Sequence, residues 1–237
     1  FGLPWMAILL MSAGTLTKGP VAIVLPCMVA WVCAVVRREG WLRETLLMAL
    51  TAVVSLLLPA LWYYAAYKQQ GDAFIQLFLE ENVYRFLGRM SYRSHENGIW
   101  YYFVMLPAGL LPWTLMLVPA IFRRWDKQVI VERLKAMDRT EVFSLVAAVC
   151  VFVFYCIPHS KRGVYIMPMY PFVAFFIAQH LCVNYTQRFV RRLSSAVAVL
   201  YTLAYAAVLP FVLNSKSDID TARIIEQKVG DAPLTSY

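Results

Sequence analysis

Charged residues are scarce in this sequence. Asp, Glu, Lys and Arg make up 15% of its 237 residues, whereas 61% are hydrophobic. An ordinary soluble domain is about 25% charged. A chain this apolar cannot bury its hydrophobic side chains in one core and still cover that core with polar surface. The composition therefore excludes a disordered chain, a collagen-like fibre and a water-soluble globule, and it indicates a chain that folds in lipid.

Three further sequence patterns are missing. The five cysteines lie in apolar stretches without a CxxC pair, so we expect neither a disulfide framework nor a zinc site. There is no Gly-rich nucleotide-binding loop. The chain begins with Phe and has no basic region of the kind that opens a signal peptide. We therefore expect an internal fragment of a longer membrane protein whose first helices are missing.

Long runs without charge dominate what is present. About 20 apolar residues cross a bilayer as a helix, whereas barrel strands would show alternating segments of about ten residues. The sequence thus predicts an all-α polytopic membrane helical bundle with about seven transmembrane helices. The charge-free runs are residues 1–17, 19–36, 45–67, 99–122, 142–160, 163–187 and 193–215.

The external loop 68–98 contains a segment of different character. Residues 72–88 place apolar and charged side chains at helical spacing, and Glu81 stands four positions before Arg85, a favourable order for an ion pair. The segment is too short and too charged to span a membrane. We predict an amphipathic helix that lies in the outer interface.

The formal net charge of +8 has two explanations. Nucleic-acid binding requires a basic patch on a polar fold, whereas here the basic residues form short clusters between apolar runs. That distribution is the positive-inside pattern of membrane proteins, and we expect no nucleic-acid partner. Clusters at 37–43, 123–139 and 188–192 are assigned to the cytoplasm. Residues 68–98, 158–163 and the C-terminal tail are then extracytoplasmic in a multi-pass protein of the cell inner membrane.

This topology suggests a domain division. Residues 1–213 are expected to be a transmembrane domain, itself part of a larger one. The polar residues 214–237 are expected to begin an extracytoplasmic C-terminal region.

Three extracytoplasmic segments, 16–20, 81–102 and 158–171, carry polar residues that a purely structural membrane chain would not need. Ammonium and guanidinium groups bind phosphate oxygens, so the three segments could together form a phosphate cradle. The simpler alternative is that these cations snorkel at helix ends or contact lipid headgroups. His95 and Glu96 could help to bind a divalent metal. Because His95 and the glutamates do not have the spacing of a known metal-ligand set, the sequence leaves metal binding open. The candidate residues are Lys18, Glu81, Tyr84, Arg85, Arg89, His95, Glu96, Lys161, Arg162 and Tyr165.

The motifs in these segments resemble a known family. LTKGP after an apolar helix, then ENVYRFLGR and HENGIWYYFVMLPAGLLPW, then HSKRGVYIMPMYP, are together similar to bacterial membrane glycosyltransferases of the GT-C superfamily. The resemblance points to aminoarabinose (lipid A) transferases and protein O-mannosyltransferase-like enzymes. It extends over nearly the whole chain.

The resemblance implies transfer of a sugar from a polyprenyl-phosphate carrier to a lipid, glycan or protein acceptor on the extracytoplasmic face. It implies that Lys18, Arg85 and Lys161 hold the carrier phosphate. In this family the acidic residue expected as general base lies in the first external loop. No residue here corresponds to it, so we expect no catalytic residue in this fragment. A transporter or flippase for an anionic lipid or solute, or a non-enzymatic scaffold subunit, are the alternatives.

Overall fold

The computed structural model describes residues 3–38, 40–89, 97–121 and 127–216. Within these ranges the chain is helical and has no β-strand, because a helix satisfies its backbone hydrogen bonds within one segment, as lipid requires. A π-helix, Glu80–Tyr84, joins α4 to α5, and a 3-10 helix, Gly163–Met169, precedes α10. The α-helices are α1 (Trp5–Lys18), α2 (Val21–Arg37), α3 (Trp41–Gln70), α4 (Asp72–Leu79), α5 (Arg85–Leu87), α6 (Tyr101–Gly109), α7 (Trp113–Ile121), α8 (Lys127–Lys135), α9 (Arg139–Cys156), α10 (Tyr170–Asn184) and α11 (Gln187–Lys216).

Each of the seven predicted spans contains helix, and the all-α polytopic fold is confirmed. Among the described residues, four helical segments are long and apolar enough to cross a membrane, and α2 is a shorter apolar helix. Many large apolar side chains on these helices are exposed, as expected where the neighbour is lipid. The four long segments are Trp41–Gln70, Arg139–Cys156, Gly163–Asn184 and Gln187–Leu213.

The fourth predicted span differs from the prediction. Residues 99–122 do not form one helix, because α6 ends at Gly109 and α7 begins at Trp113 after a turn. Pro112 lies in this turn, and proline lacks the N–H group that a continuing helix needs. The structure also contains α8, a helix in the connection to α9 that the hydrophobic pattern did not predict.

The predicted helix at 72–88 is present as α4, the π-helix and α5, which together form the amphipathic helix (residues 72–87). Its apolar face packs on the end of α3. The Phe78 ring lies 5.2 Å from the Tyr63 ring, and the Phe74 ring lies 6.1 Å from the Trp62 ring, both edge to face. These aromatic contacts fix the helix beside α3.

The chain divides into two compact units, Phe1–His180 and Leu181–Tyr237. In the first unit, small residues allow α1 to approach both α3 and α2 closely. Ser12 donates a hydrogen bond to the Ser55 carbonyl oxygen at 2.8 Å, and both residues are buried. A Cβ atom on Gly14 would lie 2.9 Å from that of Ala22 on α2. Small side chains permit such close contact between membrane helices.

A second core of the first unit joins α2 to α9, where Val29 packs against Val146, Ala147 and Cys150. The start of α9 is fixed by a capping box, in which the Asp138 carboxylate accepts the Glu141 N–H while the Glu141 carboxylate accepts the Asp138 N–H. The second unit contains α11, whose large apolar side chains are mostly exposed.

Candidate functional site

The first basic segment is the LTKGP turn (residues 16–20), which joins α1 to α2. Gly19 adopts a left-handed φ of 80° and its N–H donates to the Thr15 carbonyl oxygen at 2.9 Å. The Tyr63 hydroxyl donates to the same oxygen at 3.1 Å and so ties the turn to α3. Lys18 ends α1 with an exposed side chain. The turn therefore presents the Lys18 ammonium at the end of the helical bundle.

The second basic segment is the end of the amphipathic helix. Arg85 forms an ion pair with Glu81 one turn earlier, at 2.5 Å, and the Nε atom of Arg85 is buried. In the π-helix, the Asn82 side-chain amide donates to the Phe78 carbonyl oxygen at 2.9 Å. Single-turn π-helices often mark functional sites. Arg85 and Glu81 therefore form the ion pair that their spacing in the sequence predicted.

The third basic segment is the HSKR loop (residues 159–162), between α9 and the 3-10 helix. Lys161 is only 4% exposed, and its ammonium donates to the Pro158 carbonyl oxygen at 2.5 Å. Arg162, the next residue, is exposed. Tyr165 stacks on Tyr155 of α9 with ring centres 5.6 Å apart. Two adjacent cations of this loop therefore have opposite environments, since Lys161 is buried and Arg162 is exposed.

Two glycine contacts bring the three segments together on the amphipathic helix. A Cβ atom on Gly19 would overlap the Oδ1 atom of Asn82. A Cβ atom on Gly88, which has a φ of 67°, would lie 2.9 Å from Cγ of His159. Asn82 and Gly88 are six residues apart, roughly 9 Å of helix, and Arg85 lies midway between them. The backbones that carry Lys18, Arg85 and Lys161 therefore meet at one end of the bundle.

The buried ammonium of Lys161 has unusual surroundings. An ammonium group has three donors, and Lys161 uses one on the Pro158 carbonyl oxygen. Within the described ranges, Lys161 forms no ion pair with a carboxylate. A cation removed from water without an opposite charge is costly, by several kcal/mol. The arrangement is suited to an anion that approaches the loop.

The other candidate residues are placed less centrally. Tyr84 is 40% exposed, and the N–H of the exposed Arg89 donates to the Tyr84 carbonyl oxygen at 2.8 Å. His95 and Glu96 lie outside the described residues. Among the residues that are described, no group of three or more His, Cys, Asp or Glu side chains is placed to hold a metal ion.

Three residues of the site were not candidates from the sequence: Asn82, Asn97 and Tyr102. The Asn97 side-chain amide donates to the Lys161 carbonyl oxygen, and the Tyr102 hydroxyl donates to the Arg162 carbonyl oxygen, both at 3.1 Å. Their partners are distant in the chain, so no local pattern could identify them. The sequence signal is membership of the quoted motifs: Asn82 lies within ENVYRFLGR, and Asn97 and Tyr102 lie within HENGIWYY.

The chain is similar in sequence to several known proteins, although no family model matches it. It is 30% identical to an uncharacterized protein of Aquifex aeolicus, over 87% of this chain and 39% of that protein. It is 29% identical to the undecaprenyl phosphate-alpha-4-amino-4-deoxy-L-arabinose arabinosyl transferase of Erwinia tasmaniensis, over 87% of this chain and 37% of that enzyme. The enzyme of the same name from Enterobacter sp. is 30% identical, over 70% of this chain and 28% of that enzyme.

A solved structure agrees with these relatives. The crystal structure of ArnT from Cupriavidus metallidurans bound to undecaprenyl phosphate matches with a TM-score of 0.59 and 25% identity, over 86% of this chain and 35% of that chain. The chain spans 28 to 39% of the length of the curated relatives above. It is thus homologous to one segment of the aminoarabinose transferases, and the resemblance to GT-C membrane glycosyltransferases is confirmed.

Proposed function

We propose that this chain holds the donor phosphate in a membrane glycosyltransferase that uses a polyprenyl-phosphate-linked sugar. Lys18, Arg85 and Lys161 bind the phosphate, and the acceptor is a lipid, a glycan or a protein hydroxyl. The observation that carries the proposal is the Lys161 ammonium, buried with one hydrogen bond and no carboxylate partner among the described residues, at the point where three basic segments meet. The relatives named as undecaprenyl-phosphate aminoarabinose transferases support this donor class.

The chemistry explains why such a transferase needs cations at this place. An acceptor oxygen attacks the anomeric carbon of the sugar, and the bond from that carbon to the phosphate oxygen breaks. The electron pair of that bond stays on the phosphate, whose negative charge increases in the transition state. Cations fixed beforehand around the leaving phosphate stabilise this charge without reorganising. The hydroxyl proton of the acceptor passes to a base, and we assign that base to no residue of this chain.

The orientation belongs to the same proposal. The LTKGP turn, the amphipathic helix and the HSKR loop lie on the extracytoplasmic side of the inner membrane, with the tail after α11 on that side as well. A polyprenyl chain then lies among the exposed apolar side chains of the helices, while its phosphate reaches the cations at the bundle end. Tyr84, Arg89, Arg162 and Tyr165 contact the sugar or the phosphate from the periphery.

The direct test measures binding of undecaprenyl phosphate to the complete protein in nanodiscs. We expect Lys161→Met to lower the affinity at least tenfold, because a hydrogen bond to a charged group contributes about 1.5–3 kcal/mol. Lys135→Met, which removes one lysine from the exposed helix α8, is the matched control and should bind as wild type. Equal affinities for wild type and Lys161→Met would refute the proposal.

A flippase for an anionic lipid would use the same cations, so binding alone does not separate it from a transferase. The distinguishing measurement follows labelled undecaprenyl phosphate in proteoliposomes. We expect no acceleration of its movement between leaflets. Protein-dependent movement that Lys161→Met abolishes would establish the flippase instead.

A further inference from the structure

Residues 97–102 donate three hydrogen bonds to the backbone of the HSKR loop. The Asn97 backbone N–H donates to the His159 carbonyl oxygen at 3.4 Å, and its side-chain amide donates to the Lys161 carbonyl oxygen at 3.1 Å. The Tyr102 hydroxyl donates to the Arg162 carbonyl oxygen at 3.1 Å. The bonded carbonyl groups thus lie on Lys161 itself and on both sides of it.

We propose that Asn97 and Tyr102 are positioning residues for phosphate binding: they fix the backbone around Lys161 so that its ammonium faces the donor phosphate. The inference rests on the proposed function, since it assigns a role relative to that phosphate. Neither residue needs to touch the donor. Both act through the direction of the Lys161 side chain.

The chemistry of the loop explains why it needs such support. Residues 157–162 lie outside the regular helices, so their carbonyl groups lack the hydrogen bonds that a helix would supply. A lysine side chain is long and flexible, and an ammonium binds phosphate as a point charge without the geometry of a guanidinium fork. Its precision therefore depends on a fixed backbone, and binding is stronger when the site is ordered in advance.

Tyr102 is suited to this role because its side chain is fully buried, with no exposed surface. Its ring packs edge to face against Tyr101 at 5.2 Å. A buried hydroxyl needs a partner, and the Arg162 carbonyl oxygen supplies it. Tyr102 therefore joins the start of α6 to the residue that follows Lys161.

The test compares undecaprenyl phosphate with undecaprenol, the same lipid without phosphate, as ligands of the complete protein in nanodiscs. Asn97→Leu keeps the approximate size of the side chain and adds no charge, but it removes the amide donor. Tyr102→Phe removes only the hydroxyl. We expect each to lower the affinity for undecaprenyl phosphate about three- to tenfold, the range that corresponds to one hydrogen bond. The affinity for undecaprenol should stay unchanged, whereas a general loss of structure would lower both.

Tyr101→Phe is the matched control. It makes the same chemical change one residue away, and within the described ranges the Tyr101 hydroxyl has no hydrogen bond to the HSKR loop. It should bind both lipids as wild type does.

A double-mutant cycle tests whether the residues act through Lys161. In a Lys161→Met background, Asn97→Leu and Tyr102→Phe should cause no further loss of phosphate affinity. If Lys161→Met weakens binding but the two positioning variants bind as wild type, the positioning role is wrong and the donor site stands. An additive loss in the Lys161→Met background would also overturn the positioning role. If Lys161→Met itself binds as wild type, the proposed function fails.

Discussion

Gly19 and Asn82 lie so close together that a single methyl group on the glycine would overlap the asparagine side-chain oxygen. Gly19 belongs to the LTKGP turn and Asn82 to the π-helix of the amphipathic helix. The Asn82 amide is occupied by the Phe78 carbonyl oxygen at 2.9 Å, which fixes the orientation of the side chain. The position of the amphipathic helix over the turn therefore depends on the absence of a side chain at residue 19.

We expect Gly19→Ala to destabilise the protein by more than the backbone effect alone. Gly19 combines a φ of 80° with a ψ of −169°, a backbone region that is used almost only by glycine and costs other residues roughly 1–3 kcal/mol, and the overlap with Asn82 adds to this. Gly71→Ala is the matched control, because Gly71 has a φ of 61° and a methyl group there would meet nothing within 4 Å. Thermal unfolding in detergent should show a larger loss for Gly19→Ala. Combining Gly19→Ala with Asn82→Ala should restore part of that difference, and no restoration would argue against the contact.

Gly88→Ala tests the second contact of the amphipathic helix. The added methyl group would press on His159, at 2.9 Å from its Cγ atom, and would displace the loop that carries Lys161. We expect weaker binding of undecaprenyl phosphate, about three- to tenfold, as for the loss of one hydrogen bond. Gly40→Ala controls for backbone strain, because Gly40 has the same left-handed conformation as Gly88 and a methyl group there would meet nothing within 4 Å. Unchanged binding by Gly88→Ala would show that the loop does not depend on this contact.

The two arginines of the amphipathic helix should differ in their effect on donor binding. Arg85 lies between the two glycine contacts and is paired with Glu81, whereas Arg89 is exposed beyond the end of the helix. We expect Arg85→Gln to lower undecaprenyl phosphate affinity at least tenfold and Arg89→Gln by less than threefold, because a fixed guanidinium binds phosphate through two hydrogen bonds. The undecaprenyl phosphate affinities of both variants are measured in nanodiscs. A larger loss for Arg89→Gln than for Arg85→Gln would indicate that the phosphate binds nearer to Arg89.

The hydrophobic runs predict the helices because lipid permits few other structures, and the spacing of Glu81 and Arg85 predicts their ion pair. The break between α6 and α7 could have been suspected from Pro112, although proline also occurs inside α2 and α3. The contacts of Asn82, Asn97 and Tyr102 depend on how distant segments pack, which no local spacing encodes. The sequence also could not predict that Lys161 is buried and Arg162 exposed, because the two residues are adjacent and both are cationic.

The close approach of α1 and α3 depends on small side chains. Ser55 is fully buried, accepts the Ser12 hydrogen bond on its carbonyl oxygen and donates its own hydroxyl to the Thr51 carbonyl oxygen. We expect Ser55→Leu to separate the helices and to destabilise the protein by about 1–3 kcal/mol, as overpacking does. Val53→Leu on the exposed side of α3 is the control and should leave thermal stability nearly unchanged. Equal stability of both variants would mean that the interface has room for a larger side chain.

The proposed placement of the HSKR loop and α8 on opposite sides of the membrane depends on α9, because these two regions lie at its two ends. Eighteen residues of helix extend roughly 27 Å, close to the thickness of the hydrocarbon core. The HSKR loop follows one end of α9, and α8 precedes the other. In a variant with the five cysteines replaced, we expect Arg162→Cys, in the exposed part of the HSKR loop, to react with a membrane-impermeant maleimide in cells whose outer membrane is permeabilised and whose inner membrane is intact. Lys135→Cys should react only after the inner membrane is opened. Labelling of both residues before that step would contradict a membrane crossing between them, and the reverse pattern would place the three basic segments in the cytoplasm, where an extracytoplasmic transferase could not use them.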